Sequence, residues 1–481
     1  MRDLWRRPAL LHKFKTFSQR LTQPAVMIAA LILVLGNPSA AVPHSSSVNL
    51  TSLGSPQNAP EGGAPTPNPV PTPPPVQQPV PVELISASAT DWPMYRHNPN
   101  HTGNNASAVL VNQSTAGDLR ESWRRNVGGL VTSSAALVGE SVFIGSHDMS
   151  LYSLNSKTGA IKWAFRTSGT VESSPAFSAG DGTNPSRVFF TSSDRSLYAV
   201  NAATGKLLWR KADDYSVSSP VVSNGSRYAD SRLYVGTKSG KLNAYDFDGN
   251  LVWSYATEGE IEASPTLARV QGSDVVIVGS SDTYVYCILA GARTPQLAWR
   301  VKTGGKVSST AAFSDNLVFV GSSDSYMYAL NAVTGAQHWK YQTQGPITSS
   351  PAVQEAEAGG YAQVYFGSQD GSVYAVRSDT GAQIWSTPFV GPIISSPALG
   401  GEVLYIGASK GVFALNASSG THLWSAPLSR TVNSSPSLSQ DMLVVGSADS
   451  NVYCFRIPSL APVSAQPEAL GSVPPPTTQG K

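Results

Sequence analysis

The chain has 481 residues, of which 41% are hydrophobic and only 13% are charged, with 33 Lys and Arg against 31 Asp and Glu. A formal net charge of +2 excludes the strongly basic surface expected of a nucleic-acid-binding protein, and two cysteines are too few for a disulfide framework or a cysteine zinc site. The charged fraction is about half of the roughly 25% usual in globular proteins. Together with 42 glycines and 35 prolines, it favours an all-β fold rich in turns.

Residues 1–41 carry a targeting pattern. Six Lys and Arg residues precede an apolar run of 11 residues from Ala25 to Leu35, and small residues follow at Ser39–Ala41. Such a run is short for a bilayer span, which needs about 20 residues, and typical of a signal peptide. We expect export to the periplasm, the cell envelope or the exterior, with cleavage after Ala41. An uncleaved membrane anchor is the alternative, because the basic region is long.

Residues 42–90 are polar, small and rich in proline, most densely between Pro65 and Pro75. Proline runs lack backbone donors and favour the extended polyproline II conformation, so this segment is predicted to be a disordered, semi-rigid linker. Residues 459–481 contain three consecutive prolines at Pro474–Pro476 and are predicted to form a disordered tail for the same reasons.

The sequence between these segments repeats. Eight tryptophans recur at intervals of 39 to 46 residues, at Trp123, Trp163, Trp209, Trp253, Trp299, Trp339, Trp385 and Trp424. Triplets of small residues recur eight times with the same period, including Ser133–Ala135 in the first repeat and Ser308–Thr310 in the fifth. A period of about 40 to 50 residues is typical of β-propellers and related repeat proteins.

Each repeat contains four short apolar runs bounded by turn residues, which predict four strands. In the fifth repeat these strands are Ser308–Phe313, Asn316–Gly321, Tyr326–Asn331 and His338–Thr343. Glycine precedes tryptophan by four residues in six repeats, which indicates a turn with positive φ before each of these indoles. Four antiparallel strands in each of eight repeats predict an eight-bladed β-propeller.

The two ends of the repeat region predict how the ring closes. Trp123 lies in a fourth-strand segment, Arg120–Asn126, that precedes the first complete repeat, whereas the eighth repeat ends at Phe455 without such a segment. We therefore expect the N-terminal strand to complete the last blade, which leaves no open sheet edge at the junction. The propeller is assigned to residues 119–458, after an entry segment at residues 91–118.

The segment Asn331–Trp339, with its relatives in other repeats, resembles the tryptophan-docking motif of pyrroloquinoline-quinone-type (PQQ-like) propellers. Asp91–Gly103 is similar to the entry segment of secreted members of that family. The fourth repeat departs from the motif at Gly291–Gln296, where we expect an altered outer hairpin. The resemblance implies two branches, namely quinone-dependent dehydrogenases and non-catalytic scaffolds like that of the outer-membrane β-barrel assembly machine.

The dehydrogenase branch would need a quinone platform, a calcium ion with oxygen ligands and a carboxylate base. The resemblance implies that an adjacent cysteine pair and a tryptophan sandwich the quinone. Here Cys287 and Cys454 are far apart in sequence, and every repeat tryptophan is assigned to docking one blade on the next. We therefore expect no catalytic residue, no cofactor and no metal site, and keep a PQQ-dependent dehydrogenase as the alternative.

The segments that enter the first strands are predicted to line the mouth of the central channel, where Glu172, Glu262 and Lys306 are the charged residues. This group could bind a polar ligand or a cation. Solvated rim charges are the simpler interpretation, because the three residues come from separate blades and no motif fixes their geometry. Binding of a polysaccharide or small ligand in the channel is therefore a further alternative.

Three other residue sets receive structural interpretations. Aspartates recur at one turn of the repeat and are expected to cap it: Asp148, Asp194, Asp282, Asp324, Asp370 and Asp449. His97 and His101 would suit a metal only on a helix, which Pro99 between them argues against. Cys287 and Cys454 hold the same third-strand position in opposite blades, so two buried free thiols are expected.

These observations together predict a non-catalytic, monomeric propeller that binds envelope or secreted proteins of a bacterium. Contact with a membrane is expected only through the possible N-terminal anchor.

Overall fold

The computed structural model describes residues 87–458, apart from 109–110, 213, 215–216, 224–229, 292–293 and 357–359. The predicted signal peptide, the linker up to residue 86 and the predicted tail lie outside the described residues. The described residues form 32 β-strands and one short 3₁₀ helix, Ala116–Asp118. Within this part of the chain, no helix has the length and apolar character needed to cross a bilayer.

The strands form eight four-stranded antiparallel sheets, which are the blades of a ring, so the predicted all-β, eight-bladed propeller is confirmed. The first strand, β1 (Arg120–Asn126), belongs to the last blade. Blade 1 contains β2 (Ala136–Val138), β3 (Ser141–Ser146), β4 (Ser150–Asn155) and β5 (Ile161–Arg166), and blade 2 contains β6 (Ala176–Ser178), β7 (Arg187–Ser192), β8 (Ser196–Asn201) and β9 (Leu207–Ala212). Blade 3 contains β10 (Val221–Ser223), β11 (Arg232–Gly236), β12 (Lys241–Tyr245) and β13 (Leu251–Ala256), and blade 4 contains β14 (Thr266–Val270), β15 (Ser273–Gly279), β16 (Tyr284–Leu289) and β17 (Gln296–Lys302).

Blades 5 to 8 repeat this arrangement, and the last blade has three strands of its own before β1 completes it. Blade 5 contains β18 (Ala312–Ser314), β19 (Leu317–Gly321), β20 (Tyr326–Asn331) and β21 (Gln337–Gln342), and blade 6 contains β22 (Ala352–Gln354), β23 (Gln363–Gly367), β24 (Ser372–Arg377) and β25 (Gln383–Pro388). Blade 7 contains β26 (Ala398–Gly400), β27 (Val403–Ala408), β28 (Gly411–Asn416) and β29 (His422–Pro427), and blade 8 contains β30 (Ser437–Ser439), β31 (Met442–Gly446) and β32 (Asn451–Arg456) together with β1.

The ring closes as predicted, because β1 pairs antiparallel with β32. In this register Trp123 lies opposite Cys454, the position that Trp299 takes opposite Cys287 in blade 4. Both cysteines are buried free thiols, as expected, and burial raises the pKa of each to about 12. A thiol with so high a pKa is almost entirely protonated at neutral pH and is a poor nucleophile.

Burial explains the apolar pattern of the repeat. The second strand of a blade is covered by the neighbouring blades on both faces, and all six residues of β3 are buried. The fourth strand lies at the outer edge, so exposed and half-buried residues alternate along β5. Apolar side chains therefore fill the middle strands, and polar residues return at the edge of each blade.

The predicted first strand of the fifth repeat was too long. It was expected over Ser308–Phe313, whereas β18 begins only at Ala312. The backbone N–H of Thr310 donates to the side chain of Ser350 in the next blade instead of a strand partner. The other three predicted strands of this repeat agree with the structure to within one residue at each end.

The repeat tryptophans lie between blades. For seven of the eight, the structure gives a hydrogen bond from the indole N–H to a backbone carbonyl of the following blade. Examples are Trp123 to Ser156 at 2.8 Å and, across the junction into blade 8, Trp424 to Leu119 at 2.9 Å. Trp253, the eighth, is buried and packs against Tyr234 of its own blade.

The glycine four residues before tryptophan has a second role that the sequence did not reveal. Gly205 has a φ of +69°, and an added Cβ would lie 2.6 Å from the indole of Trp163 in the preceding blade. The residue must therefore be glycine for its backbone conformation and for the close approach of the indole. In blade 4 the residue four before Trp299 is Pro295 and not glycine, and residues 292–293 of the predicted altered hairpin lie outside the described residues.

Five of the six recurring aspartates cap the turn through Oδ1, as predicted, whereas Oδ1 of Asp194 has no hydrogen-bond partner in the described part of the chain. In blade 5, Oδ1 of Asp324 accepts the N–H of Tyr326 at 3.0 Å, while Oδ2 accepts the hydroxyl of Tyr328 at 2.6 Å. Oδ2 also accepts the N–H of Gly304 at 2.6 Å, from the loop that leads into the blade. One carboxylate thus fixes a turn, a strand and a loop.

Candidate functional site

One hydroxyl side chain from each blade lines the central channel, and these eight form what we call the hydroxyl ring. Its members are Ser134, Ser174, Ser219, Ser264, Thr310, Ser350, Ser396 and Ser435. The backbone N–H of each member donates to the hydroxyl oxygen of the member in the next blade, over 2.9 to 3.1 Å. The bond from Ser435 to Ser134, at 2.9 Å, completes the circle.

The residue before each ring member explains why the triplets are small. In blade 5, the hydroxyl of Ser309 accepts the N–H of Gly321 in the second strand at 3.2 Å and donates to the carbonyl of Ser349 in the next blade at 3.0 Å. A larger side chain would not fit between these strands. The triplets served as a repeat marker in the sequence, and their recurrence was the signal that could have identified the ring.

The hydroxyl ring surrounds a cavity of about 210 Å³, which we call the cup. Glu172 and Glu262 lie in its wall, as predicted for the channel mouth. The uncharged residues predicted there, Thr132, Val217, Thr348, Ile394 and Asn433, also line the cup.

Lys306, predicted at the mouth of the channel, is not among the residues that line the cup, and Ser308 takes the wall position in blade 5. Four small residues, Ser308, Ser309, Thr310 and Ala311, follow one another in blade 5. The triplet that corresponds to those of the other blades is Ser309–Ala311, one residue after the predicted Ser308–Thr310. The bond from the N–H of Ser264 to Thr310 Oγ1, at 2.9 Å, fixes the true register. The Lys306 ammonium instead forms an ion pair with the carboxylate of Glu262 at 2.7 Å.

The two wall carboxylates therefore differ. Glu262 is neutralised by Lys306, whereas Glu172 has no cationic partner among the described residues and accepts the hydroxyl of Thr170 at 2.8 Å. The three predicted residues are not brought together as one triad. The structure joins only Glu262 and Lys306.

Tyr95 closes the cup from below. Its hydroxyl lies 3.2 Å from the hydroxyl of Ser350 and 3.0 Å from that of Ser396, and it belongs to the entry segment. Tyr95 therefore obstructs the channel at this end. No repeat pattern marks Tyr95 in the sequence.

Residues 92–105, which we call the strap, hold Tyr95 in place. The strap runs around the channel axis and hydrogen-bonds to the backbone of the first strands of six blades. Its partners there are Leu137, Phe177, Leu267, Phe313, Val353 and Leu399. The side-chain amide of Asn105 reaches blade 8 through the carbonyl of Leu438 at 3.1 Å.

A buried arginine anchors the strap between blades 6 and 7. The guanidinium of Arg96 donates to the carbonyl of Pro351 at 2.8 Å and to the carbonyl of Pro397. Burial lowers its pKa to about 10, which still leaves it protonated at neutral pH. Gly103, with a φ of +60°, lies against this guanidinium, and an added Cβ would be 2.0 Å from Nη2.

The two strap histidines pack against neighbours in the fold. His97 lies against the ring of Trp92 with centroids 5.0 Å apart, and Nδ1 of His101 is 3.3 Å from Oγ1 of Thr266. Burial lowers the pKa of His97 to about 4 and that of His101 to about 3, so both are neutral at pH 7.

The cup does not fit a quinone with its calcium ion. Its volume of about 210 Å³ is below the roughly 300 to 1,000 Å³ of typical cofactor and ligand pockets. Calcium takes six to eight oxygen ligands, usually with several carboxylates. Of the two carboxylates in the cup, one is already paired, and the described residues contain no cluster of three His, Cys, Asp or Glu side chains.

Exposed apolar side chains lie around the cup on the face that we call the mouth face. This face carries the loops between blades and the turns between second and third strands. Val390 and Ile394, in the loop between β25 and β26, are 69% and 43% exposed. Leu130, before β2, and Met149, between β3 and β4, are 44% and 36% exposed.

Fold and channel together define an eight-bladed propeller built from PQQ-like repeats. Residues 110–294 and 369–459 match the family described as outer membrane protein assembly factor BamB, and the chain belongs to this family. Among curated proteins, no sequence matches the chain.

Solved structures show the same fold. BamB from Moraxella catarrhalis superposes with a TM-score of 0.57 and 19% identity, over 70% of this chain and 99% of that chain. Quinohemoprotein alcohol dehydrogenase from Comamonas testosteroni gives a TM-score of 0.62 and 14% identity, over 79% and 82% of the two chains. A europium-containing methanol dehydrogenase gives a TM-score of 0.61 and 14% identity, over 77% of this chain and 98% of that chain. At these identities the likeness shows the fold alone.

Proposed function

We propose that the protein is a non-catalytic scaffold of the bacterial cell envelope, which binds protein partners through its mouth face. Membership in a family described as outer membrane protein assembly factor supports this proposal. The proposed partners are accordingly outer-membrane proteins and the factors that assemble them. The targeting pattern of residues 1–41 supports a location outside the cytoplasm.

The observation that carries the proposal is the exposed loop between β25 and β26. Val390 is 69% exposed, more than any other large hydrophobic side chain that the structure describes. Gly391 and Pro392 next to it are also exposed, which extends the uncharged surface along the loop. Exposed apolar loops on a rigid ring are typical of protein interaction sites.

A second apolar group lies two blades further around the same face. Leu130 lies in the loop that leads into blade 1, and Met149 lies in the turn between β3 and β4 of that blade. The main-chain N–H of His147 in this turn donates to the carbonyl of Leu130 at 2.9 Å. The exposed Arg430 of blade 8 stands between the two groups. Methionine and arginine, the types of Met149 and Arg430, are enriched at protein interfaces.

Crosslinking in the native cells, followed by purification of the tagged protein and mass spectrometry, tests the proposal. We expect outer-membrane proteins or their assembly factors with the wild type and a clear reduction with a Val390→Glu, Leu130→Glu double variant. Leu251→Glu is the matched control, because Leu251 is 56% exposed but lies on the outer strand β13. Equal recovery with the double variant and the control would contradict the proposed surface.

The alternative function is a quinone-dependent dehydrogenase, motivated by the fold shared with methanol and alcohol dehydrogenases. Calorimetric titration with pyrroloquinoline quinone and calcium distinguishes it from the scaffold. We expect no saturable binding, because the cup is narrow and one of its two carboxylates is paired. Saturable one-to-one binding would overturn the proposed function.

A further inference from the structure

We propose that the cup binds one small neutral polyol. This inference is independent of the protein partners proposed above, because it concerns the inside of the channel and not the exposed loops.

The first support is the hydrogen bonding of the hydroxyl ring. Each hydroxyl oxygen already accepts a backbone N–H from the preceding blade, so the hydroxyl proton must point elsewhere. For six members the described residues offer no acceptor for this proton: Ser134, Ser174, Ser219, Ser264, Thr310 and Ser435. All six line the cup and are at most 6% exposed. Buried donors of this kind need an acceptor, which a ligand or water in the cup provides.

The second support is the arrangement of acceptors above these donors. The carboxylate of Glu172 has no cationic partner among the described residues, and the amide of Asn433 lies in the same wall. A polyol carries hydroxyl groups that accept hydrogen bonds from the ring and donate them to Glu172. A neutral ligand of this kind forms hydrogen bonds with the ring hydroxyl groups and with the carboxylate of Glu172 at the same time.

Charge excludes other ligand classes. An anion would approach the carboxylate of Glu172, which has no cationic partner among the described residues, and the ammonium of Lys306 is already bound to Glu262. A divalent metal ion usually takes several carboxylate ligands, whereas one of the two carboxylates in the cup is already paired. Apolar ligands would leave six buried donors without acceptors.

Size and shape limit the ligand further. The volume of about 210 Å³ equals about seven waters at about 30 Å³ each, which suits one small molecule. Because Tyr95 is hydrogen-bonded to Ser350 and Ser396 inside the ring, a polymer would have to displace it to thread through the channel. Only a small polyol, or the last unit of a longer glycan, enters from the mouth.

Calorimetry and thermal shift with myo-inositol, D-glucose and D-mannitol test the proposal on the full chain. We expect at least one of them to bind saturably with one-to-one stoichiometry, and sodium sulfate and spermidine not to compete. Ile394→Trp places a large side chain at the mouth and should weaken binding at least tenfold. Val390→Trp is the matched control, because Val390 lies on the same loop outside the cup wall, and it should bind as the wild type does.

A second variant keeps the test decisive if Ile394→Trp does not fold. Glu172→Ala removes the unpaired carboxylate and should weaken polyol binding at least threefold, with the same melting temperature in the absence of ligand. Binding of none of the three polyols, which would mean that water alone fills the cup, would overturn the proposal. So would saturable binding of sulfate or spermidine alone, or equal polyol affinity of the two tryptophan variants.

Discussion

The backbone N–H of Ser435 donates to the hydroxyl oxygen of Ser134 over 2.9 Å, which joins the last blade to the first at the channel wall. The same bond recurs at the seven other blade junctions. The inner wall is thus held by side chain to backbone hydrogen bonds in a continuous circle. Indole docking ties the same blades together further from the axis.

Replacing Ser134 by alanine leaves the buried N–H of Ser435 without its acceptor. We expect Ser134→Ala to lower the free energy of unfolding by about 1 to 3 kcal/mol, measured by chemical denaturation. Ser153→Ala is the control, since Ser153 is fully buried and its hydroxyl has no hydrogen-bond partner. A loss as large in the control as in Ser134→Ala would show that the bond across the junction contributes little.

Alanine at Gly205 would meet the indole of Trp163. A left-handed backbone costs a residue with Cβ about 1 to 2 kcal/mol, and overpacking adds about 1 to 3 kcal/mol. Gly182→Ala separates the two effects, because Gly182 also has a positive φ, +89°, but no atom within 4 Å of an added Cβ. We expect Gly205→Ala to have a clearly lower unfolding midpoint than Gly182→Ala, and equal midpoints would contradict close packing on the indole.

Lysine at position 96 keeps the charge of the strap anchor but not its geometry. An ammonium group cannot reproduce the planar fork that reaches the carbonyls of Pro351 and Pro397. We expect Arg96→Lys to destabilise the protein by about 2 kcal/mol and to increase amide hydrogen exchange in the strap. Arg166→Lys, on an exposed strand end, should stay within about 0.5 kcal/mol of the wild type.

Acid should weaken the fold through the strap histidines. Burial lowers the pKa of His97 to about 4 and of His101 to about 3, against about 6.5 in an unfolded chain. Their neutral burial stabilises the fold fully above pH 6.5, and this contribution falls as the pH drops toward the folded pKa values, because only the unfolded chain then binds protons. Each histidine should contribute a slope of about 1.4 kcal/mol per pH unit between pH 6 and its folded pKa.

Unfolding free energies of His101→Asn between pH 7 and pH 4.5 check this prediction. Asparagine tolerates the left-handed backbone of His101, which has a φ of +55°, so the substitution removes the titrating group with little backbone strain. We expect a shallower pH dependence than in the wild type. His338→Gln, at an exposed site, should keep the wild-type slope, and an unchanged slope in His101→Asn would contradict the assignment.

The sequence predicted the ring well because its architecture depends on residues that recur. Trp339 and the glycine before it repeat at nearly fixed spacing, and the same local contacts form in blade after blade. The register of the segment after Lys306 could not be predicted as well. Four small residues follow one another there, and only a hydrogen bond to another blade determines which of them joins the ring.

The strap was beyond such prediction for a different reason. Tyr95 contacts Ser350 and Ser396, which lie 255 and 301 residues further along the chain. The repeat marks Ser350 and Ser396 but not Tyr95, and the strap has positive φ angles at Arg96 and His97 that ordinary residues rarely adopt. The place of Tyr95 in the cup is therefore visible only in the folded structure.

The pairing of β1 with β32 also determines when the fold can be completed. Residues 120–126 leave the ribosome before every other strand, yet their partner, residues 451–456, follows all of them. The early strand must stay unpaired until the last strand has been synthesised, which leaves its edge open to incorrect pairing. A chain released before residue 451 cannot form the final junction, so this junction makes a complete ring depend on a full-length product.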